Sequence, residues 1–227
     1  MKNNFHEDRL VGLLLTFLGG MIDYYTYVHY KTFASAQTGN LIIAISQLRD
    51  HQWDFAIKKI LSITFFFSGV FVAQVLIDLC RKKKVYYWRI FILYFEALIF
   101  FVASLKISQP YETTIIISIS LISAIRWVSF DRINGLTYTN LFTTGNIKGL
   151  STNLYCYLRS KDDTSKNKLL HFFLVVTSFT TGIISSLFLY EIIFTNTVLV
   201  ISSVFLCLAI FETFYIGYFY KKGKFKY

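Results

Sequence analysis

Two short polar stretches interrupt an otherwise apolar chain. The first reads Phe33-Ala-Ser35-Ala-Gln37-Thr38-Gly39-Asn40, the second Tyr138-Thr-Asn140-Leu-Phe-Thr143-Thr144-Gly145-Asn146. Each ends in Thr-Gly-Asn, and the copies stand 106 positions apart. Threonine and asparagine bring a hydroxyl and an amide, which hydrogen-bond without net charge. The glycine lets the backbone turn or approach a ligand closely. An apolar run, Leu41-Ile-Ile-Ala44, follows the first asparagine, so the triplet also suits a helix start. A helix N-terminus at membrane depth offers free N–H groups and a positive dipole end. Two roles follow for the triplets: polar contact with a small solute or ion, or capping plus small-residue packing between helices.

Three acids lie inside apolar runs: Asp23, just after Gly19-Gly20, and Glu96 and Glu212. A charge at the bilayer centre costs about 2.5–3.5 kcal/mol on insertion scales, so such a group faces a bundle interior or a cavity. Asp23, beside the first polar break, joins Gln37, Thr38, Gly39, Asn40, Thr144, Gly145 and Asn146 as a candidate substrate- or ion-binding residue. Glu96 and Glu212 are candidate proton carriers, with hydrogen bonding to a neighbouring helix as their plainer role. Arg126 also sits in an apolar run, and pairing with an intramembrane acid such as Asp23 accounts for it. The chain has no nucleophile elbow, phosphate loop or His-Glu-x-x-His. Four scattered histidines and three cysteines lack metal-ligand spacing. No catalytic residue, metal or cofactor is expected, and the chain does not read as an enzyme.

The elements that position these residues follow from composition. Of 227 residues, 55% are hydrophobic and 16% charged, and mean hydropathy is +0.51, too apolar for the surface of a soluble domain of this length. About 20 apolar residues span a bilayer. Six runs qualify: Leu10 to Val28, Ile60 to Leu79, Trp88 to Leu105, Thr113 to Phe130, Leu169 to Tyr190 and Val198 to Tyr220. The polar segments Thr32 to Gln47 and Leu136 to Leu158 lie between the first and second and between the fourth and fifth. Two more matches recur in the same order, Ser68-Gly69 with Thr181-Gly182 and Phe95-Glu96 with Phe211-Glu212. They predict a duplication, with residues 1–110 as one membrane repeat and 111–227 as the other.

The net charge of +10 collects at the ends of apolar runs, which points to membrane topology rather than to nucleic acid. If the triplet segments spanned, the basic stretches around Arg81–Arg89 and Arg159–Lys168 would fall on opposite sides, against the positive-inside bias. If they are re-entrant, both stretches and both termini are cytoplasmic, although Arg49, Lys58 and Lys59 fall outside. The expected architecture is therefore an all-α, polytopic membrane protein. It has six transmembrane helices, two re-entrant or broken helical segments and an inverted internal repeat. Its expected partners are the lipid bilayer, a small solute or ion, and a second copy of the chain in a homo-oligomer. The function this predicts is a small secondary transporter or permease, with a non-transporting membrane scaffold as the alternative.

Gly20-Met-Ile-Asp23 followed by Phe33-x-Ser35-x-Gln37-Thr38-Gly39-Asn40 resembles the YoaK-like family of bacterial membrane proteins, whose domain has no assigned function. The resemblance runs over essentially the whole chain, since Thr144-Gly145-Asn146 falls where that family has its second copy. Arg126-Trp127 departs from the family pattern, which has small and amide residues there. The resemblance implies a multi-pass protein of the bacterial plasma membrane and implies no reaction or substrate.

Overall fold

The computed structural model describes residues 5–85 and 87–221 of the chain. Residues 1–4 and 222–227, which include both termini placed on the cytoplasmic side above, lie outside the described residues. Eight α-helices make up most of the structure: α1 (Arg9–Tyr30), α2 (Gln37–Arg49), α3 (Trp53–Lys82), α4 (Arg89–Ser104), α5 (Glu112–Ser129), α6 (Thr144–Ser160), α7 (Asp163–Ile193) and α8 (Thr197–Lys221). Local chemistry sets their ends. Asp8 caps α1, its Oδ1 accepting from the Leu10 amide at 2.8 Å, and Lys31 ends that helix in the left-handed region at φ 56°. Asp162 caps α7 by accepting the Ser165 amide at 2.7 Å. Neither α2 nor α6, the two helices that begin in the polar stretches, has a side-chain cap.

Four helical segments are long and apolar enough to cross a membrane: Arg9–Tyr30, Trp53–Lys82, Gln109–Ser129 and Asp163–Tyr218, the last containing both α7 and α8. The chain is thus a helical membrane-type protein. α4, with 16 residues, is shorter than the expected third span, because Leu105 leaves the helix for a 3₁₀ turn over Lys106–Tyr111. The second polar segment departs further from expectation. Its helix starts only at Thr144, and a two-residue antiparallel ladder, β1 (Arg132–Ile133) with β2 (Leu136–Thr137), precedes it.

Helices of the two halves interleave. α1 packs against α7 and α5 against α3; α2 lies on α3 and α6 on α7; α4 and α8 pack on each other. This set of partners maps onto itself when α1–α4 are exchanged with α5–α8. In lipid, helices associate through close packing and hydrogen bonds rather than burial from water, so small residues mark the crossings. A side chain at Gly69 of α3 would collide with the Leu121 carbonyl of α5, and one at Gly182 of α7 with the Phe17 carbonyl of α1. These glycines are the pair matched in sequence. They serve equivalent crossings.

Side-chain pairs give the directions. Along α1 and α7, Leu13 accepts from Ser178 (2.6 Å), Met21 from Ser186 (3.0 Å), and His29 meets Tyr190 (3.3 Å), so the two run the same way. Along α3 and α5, Lys58 bonds Glu112 (2.7 Å) and Ser62 meets Ser120 (2.7 Å), again in parallel. Along α4 and α8 the order reverses, with Ser202 donating to the Ala97 carbonyl (2.7 Å) and Tyr94 meeting Thr213 (3.1 Å).

Candidate functional site

The Thr-Gly-Asn asparagines do the same local job in both copies. Asn40 Oδ1 accepts the Phe33 amide at 2.9 Å and its Nδ2 donates to the Phe33 carbonyl at 2.8 Å. Asn146 Oδ1 accepts the Thr139 amide at 3.1 Å and its Nδ2 donates to the Thr139 carbonyl at 2.7 Å. In each case a helical first-turn amide pairs like a strand with the backbone seven residues earlier. This ties the extended segment before the helix to the helix itself and satisfies peptide groups that lipid could not. Both asparagines are buried. They hold the loop in place and have little left to offer a solute. Gln37 is committed in the same way, donating to the Ala34 carbonyl (2.8 Å) and accepting from Asn40 (2.9 Å).

The extended segment before α2 doubles back along α1. The Ala34 amide donates to Thr26 Oγ1 (3.1 Å), and the Ser35 amide to Asp23 Oδ1 (3.0 Å), one turn deeper. Ser35 Oγ adds a 2.6 Å bond to Asp23 Oδ2 and lies 3.4 Å from the Leu141 carbonyl. Ser35 and Leu141 are separated by the same 106 positions as the triplets, so the two polar stretches touch at corresponding residues. A side chain at Gly19 would strike the Asn140 carbonyl, and one at Gly20 the Phe179 carbonyl. The Gly-Gly pair before Asp23 therefore lets both the second stretch and α7 press against α1.

Where the stretches meet, two adjoining cavities open. One, of about 330 Å³, is lined by Gln37, Thr38, Gly39 and Thr144, with Phe66, Trp127 and Phe142 as its aromatic wall. The other, of about 310 Å³, is lined by Asp23, Thr143 and Thr144 beneath Tyr24, Tyr27, Phe33, Phe142 and Phe179. Ala36, Phe142 and Thr144 belong to both. Neither α2 nor α6 has a side-chain cap at this junction, and in the first turn of α2 the Gln37 amide already donates to the Ser35 carbonyl at 2.8 Å. The Thr143 hydroxyl, on the wall of the second cavity, has no hydrogen-bond partner.

The structure thus gathers Asp23, Gln37, Thr38, Gly39 and Thr144 around shared space and sets Asn40 and Asn146 behind them as clips. Gly145 stands next to Thr144 but lines neither cavity. Glu96 and Glu212 line neither cavity. Arg126 does not pair with Asp23. Its Nε donates to Glu96 Oε1 at 2.8 Å, its Nη1 donates to the Leu15 carbonyl at 3.0 Å, and its guanidinium faces the Phe205 ring at 5.4 Å. Both Arg126 and Glu96 are fully buried, which also rules out snorkelling to an interface. The reason is positional: on α5 the arginine faces α4, whereas Asp23 is taken by Ser35. Glu212 interacts electrostatically with Arg89 at the start of α4.

The aromatic wall escaped the sequence reading, which singled out polar, glycine and charged positions. A signal existed at Phe33 and Phe142, which flank the two triplets. Among the described residues no group of histidine, cysteine, aspartate and glutamate could hold a metal ion.

A family model described as "Protein of unknown function (DUF1275)" matches residues 11–211. YoaK-like proteins fall within that family, in line with the resemblance carried by the first polar stretch. No curated protein and no solved structure matches the chain.

Proposed function

The chain belongs to the DUF1275 family, whose description assigns no activity, and from its own residues we propose that it is a small secondary transporter or permease. The observation that carries this reading is the junction of the two polar stretches. Two helix starts, one from each half, meet beside the buried Asp23 at shared cavities. Irregular backbone at membrane depth is tolerated where protein or a water cavity covers it, and secondary transporters place solute sites at such breaks.

The topology proposed is six crossing helices with two dips. After α1 the chain turns back along it as far as Asp23, then returns as α2; the segment from Phe130 to α6 does the equivalent from the other side. The opposed run of α4 and α8, and the self-mapping set of helix partners, support two inverted halves, residues 1–110 and 111–227. Both termini and the basic stretches Arg81–Lys84 and Arg159–Lys168 are then cytoplasmic in a bacterial cell membrane.

The test is uptake, or current on a solid-supported membrane, with the purified protein in liposomes across amino acids, organic ions and inorganic ions. Because the asparagines are clips, the informative variants are Asp23→Asn and the pair Thr38→Val with Thr144→Val. A signal in wild type that these variants abolish while folding normally supports the site. Indistinguishable signals from wild type and all variants would remove it. The bonding of Asn40 and Asn146 favours a second reading, a non-transporting scaffold in which the polar groups only join helices. In that case the variants alter thermal stability alone, with no solute-dependent stabilisation to lose.

A further inference from the structure

Beyond its likeness to a solute site, the paired cavity has a definite charge character. Of its two lobes, the one beside Asp23 has a carboxylate in its wall and five aromatic side chains around it: Tyr24, Tyr27, Phe33, Phe142 and Phe179. Tyr27 and Phe33 stack with ring centroids 4.5 Å apart, forming a continuous aromatic side to the lobe. The adjoining lobe adds Phe66, Trp127 and Phe142, with the Trp127 and Phe142 rings edge-on at 5.0 Å. Among the described residues, no lysine, arginine or histidine lines either lobe, so Asp23 is the only ionisable acid or base there apart from the tyrosine phenols. The nearest cation argued above, Arg126, is already balanced by Glu96 at 2.8 Å. The partial positive end of α2 falls at Gln37 and Thr38, on the lobe away from the tyrosines, whereas the start of α6 at Thr143 and Thr144 also lies in the wall of the Asp23 lobe, where the carboxylate sets the net charge.

A carboxylate set among aromatic faces attracts cations twice over. It offers a counter-charge, and each ring face attracts a cation through its quadrupole, most strongly where water is excluded. Metal ions fit poorly, because hard cations need several oxygen ligands and the lobe presents mostly carbon. An alkylammonium on an apolar or aromatic body uses both features, with its charge beside Asp23 and its body against Phe142 and Trp127. We infer that the solute of this site is a small organic ammonium compound, whose charged nitrogen sits in the Asp23 lobe and whose apolar part extends toward Trp127. This rests on the reading of the paired cavity as the solute site.

The experiment uses four probes with one benzyl body and different heads: phenethylammonium, phenylacetate, phenylalanine and 2-phenylethanol. Each is titrated into the full chain in lipid nanodiscs, with tryptophan fluorescence against a Trp127→Phe control and the thermal midpoint as readouts. Phenethylammonium binds most tightly if the inference holds. Asp23→Asn then weakens it by about tenfold or more, the effect of losing a charged hydrogen-bond partner. Phe142→Leu, which leaves the Asp23–Ser35 bonds intact, weakens it by about threefold or more. Should Asp23→Asn fail to fold, the order of the four probes and the Phe142 variant decide. Tightest binding of phenylacetate, phenylalanine or the alcohol overturns the ammonium assignment while leaving the site in place. Binding of none of the four, or binding of phenethylammonium that neither variant weakens, also overturns it. The transport reading is then judged by the liposome uptake assay alone.

Discussion

Asn40 and Asn146 each close two bonds to a backbone seven residues upstream, and the consequence is measurable at that scale. Asn146→Ala takes the side-chain partner from the partly buried Thr139 amide and carbonyl, and Asn40→Ala takes it from the Phe33 amide while the Phe33 carbonyl keeps the Ser62 hydroxyl at 3.2 Å; each group left unsatisfied costs about 1–3 kcal/mol. Asn40→Ala and Asn146→Ala are therefore each expected to lower the thermal midpoint, since both break the same pair of bonds to the backbone seven residues upstream. A marked drop from one and none from the other would deny the equivalence. The Arg126–Glu96 pair makes a different forecast. Removing one member strands a buried charge at a cost of about 3–5 kcal/mol, whereas exchanging both for apolar residues is often neutral. Arg126→Met and Glu96→Leu alone should each destabilise strongly, and the two together should recover much of the loss in a double-mutant cycle of unfolding. The two triplets were legible in the sequence as a repeat, but their asparagines read there as solute contacts or helix caps, and the clip to the backbone seven residues upstream was not legible. The arginine's partner was not either, because pairing between helices depends on which face each presents, and three buried acids were equally eligible from composition. Aromatic side chains gave no distinction either: a phenylalanine facing lipid and one facing a cavity are the same letter.

At the scale of elements, the long apolar helices were legible because a helix must bury all of its backbone polar groups within itself, and this demands long apolar runs. The short ladder was missed although its signal was present. Asn134-Gly135 takes positive φ at both positions, 49° and 79°, the turn that joins two antiparallel strands. The surrounding apolar context hid it. This ladder also holds the N-terminal 3₁₀ turn, Phe5–Glu7, through the Asn134 amide, which donates to the Glu7 carbonyl at 2.8 Å. Burial first, and then the nearby Arg89 charge, push the His6 imidazole from its ordinary 6.5 down to about 3. The docked turn therefore refuses a proton that the undocked turn accepts between those values. Docking is fully stable above pH about 6.5 and weakens as pH falls toward 3. Hydrogen exchange of residues 5–10, corrected for intrinsic rates, should show protection falling from pH 7 to pH 4, with a flatter profile in His6→Leu. The crossings carry another forecast: Gly69→Ala and Gly182→Ala should each destabilise by about 1–3 kcal/mol, the usual cost of overpacking. A readily tolerated alanine at either position would mean that the helices there are not in contact.

Over the whole molecule, the exchange of partners between halves fits a duplication of either sense, and the directions of the helices bear on whether the second copy is turned over. Suppose instead the two halves were parallel copies, with α2 and α6 crossing the bilayer. Equivalent helices such as α4 and α8 would then run the same way, yet their side-chain pairs run in opposite order, Ala97 with Ser202 and Tyr94 with Thr213. The beginning of α1 also meets the end of α5, through Leu15 and Arg126. Charge argues to the same end, since Arg81–Lys84 and Arg159–Lys168 share a side only if the triplet helices return to the face from which they entered. In the sequence this choice rests on charge alone, because hydropathy records how apolar a segment is and not which way it runs. Sidedness is decided by chemistry at two exposed turns, after α2 and after α6. In the proposed arrangement Asp50 is extracytoplasmic and Lys161 cytoplasmic. In a background with Cys80, Cys156 and Cys207 replaced by serine, a membrane-impermeant maleimide should label Asp50→Cys in intact cells and leave Lys161→Cys unlabelled. Lys161→Cys should react only after permeabilisation. Labelling of both from the same side would mean that one triplet helix crosses the membrane after all. The two polar stretches would then no longer dip toward each other from opposite faces, and the cavity between them would lose its claim to alternate between the two sides.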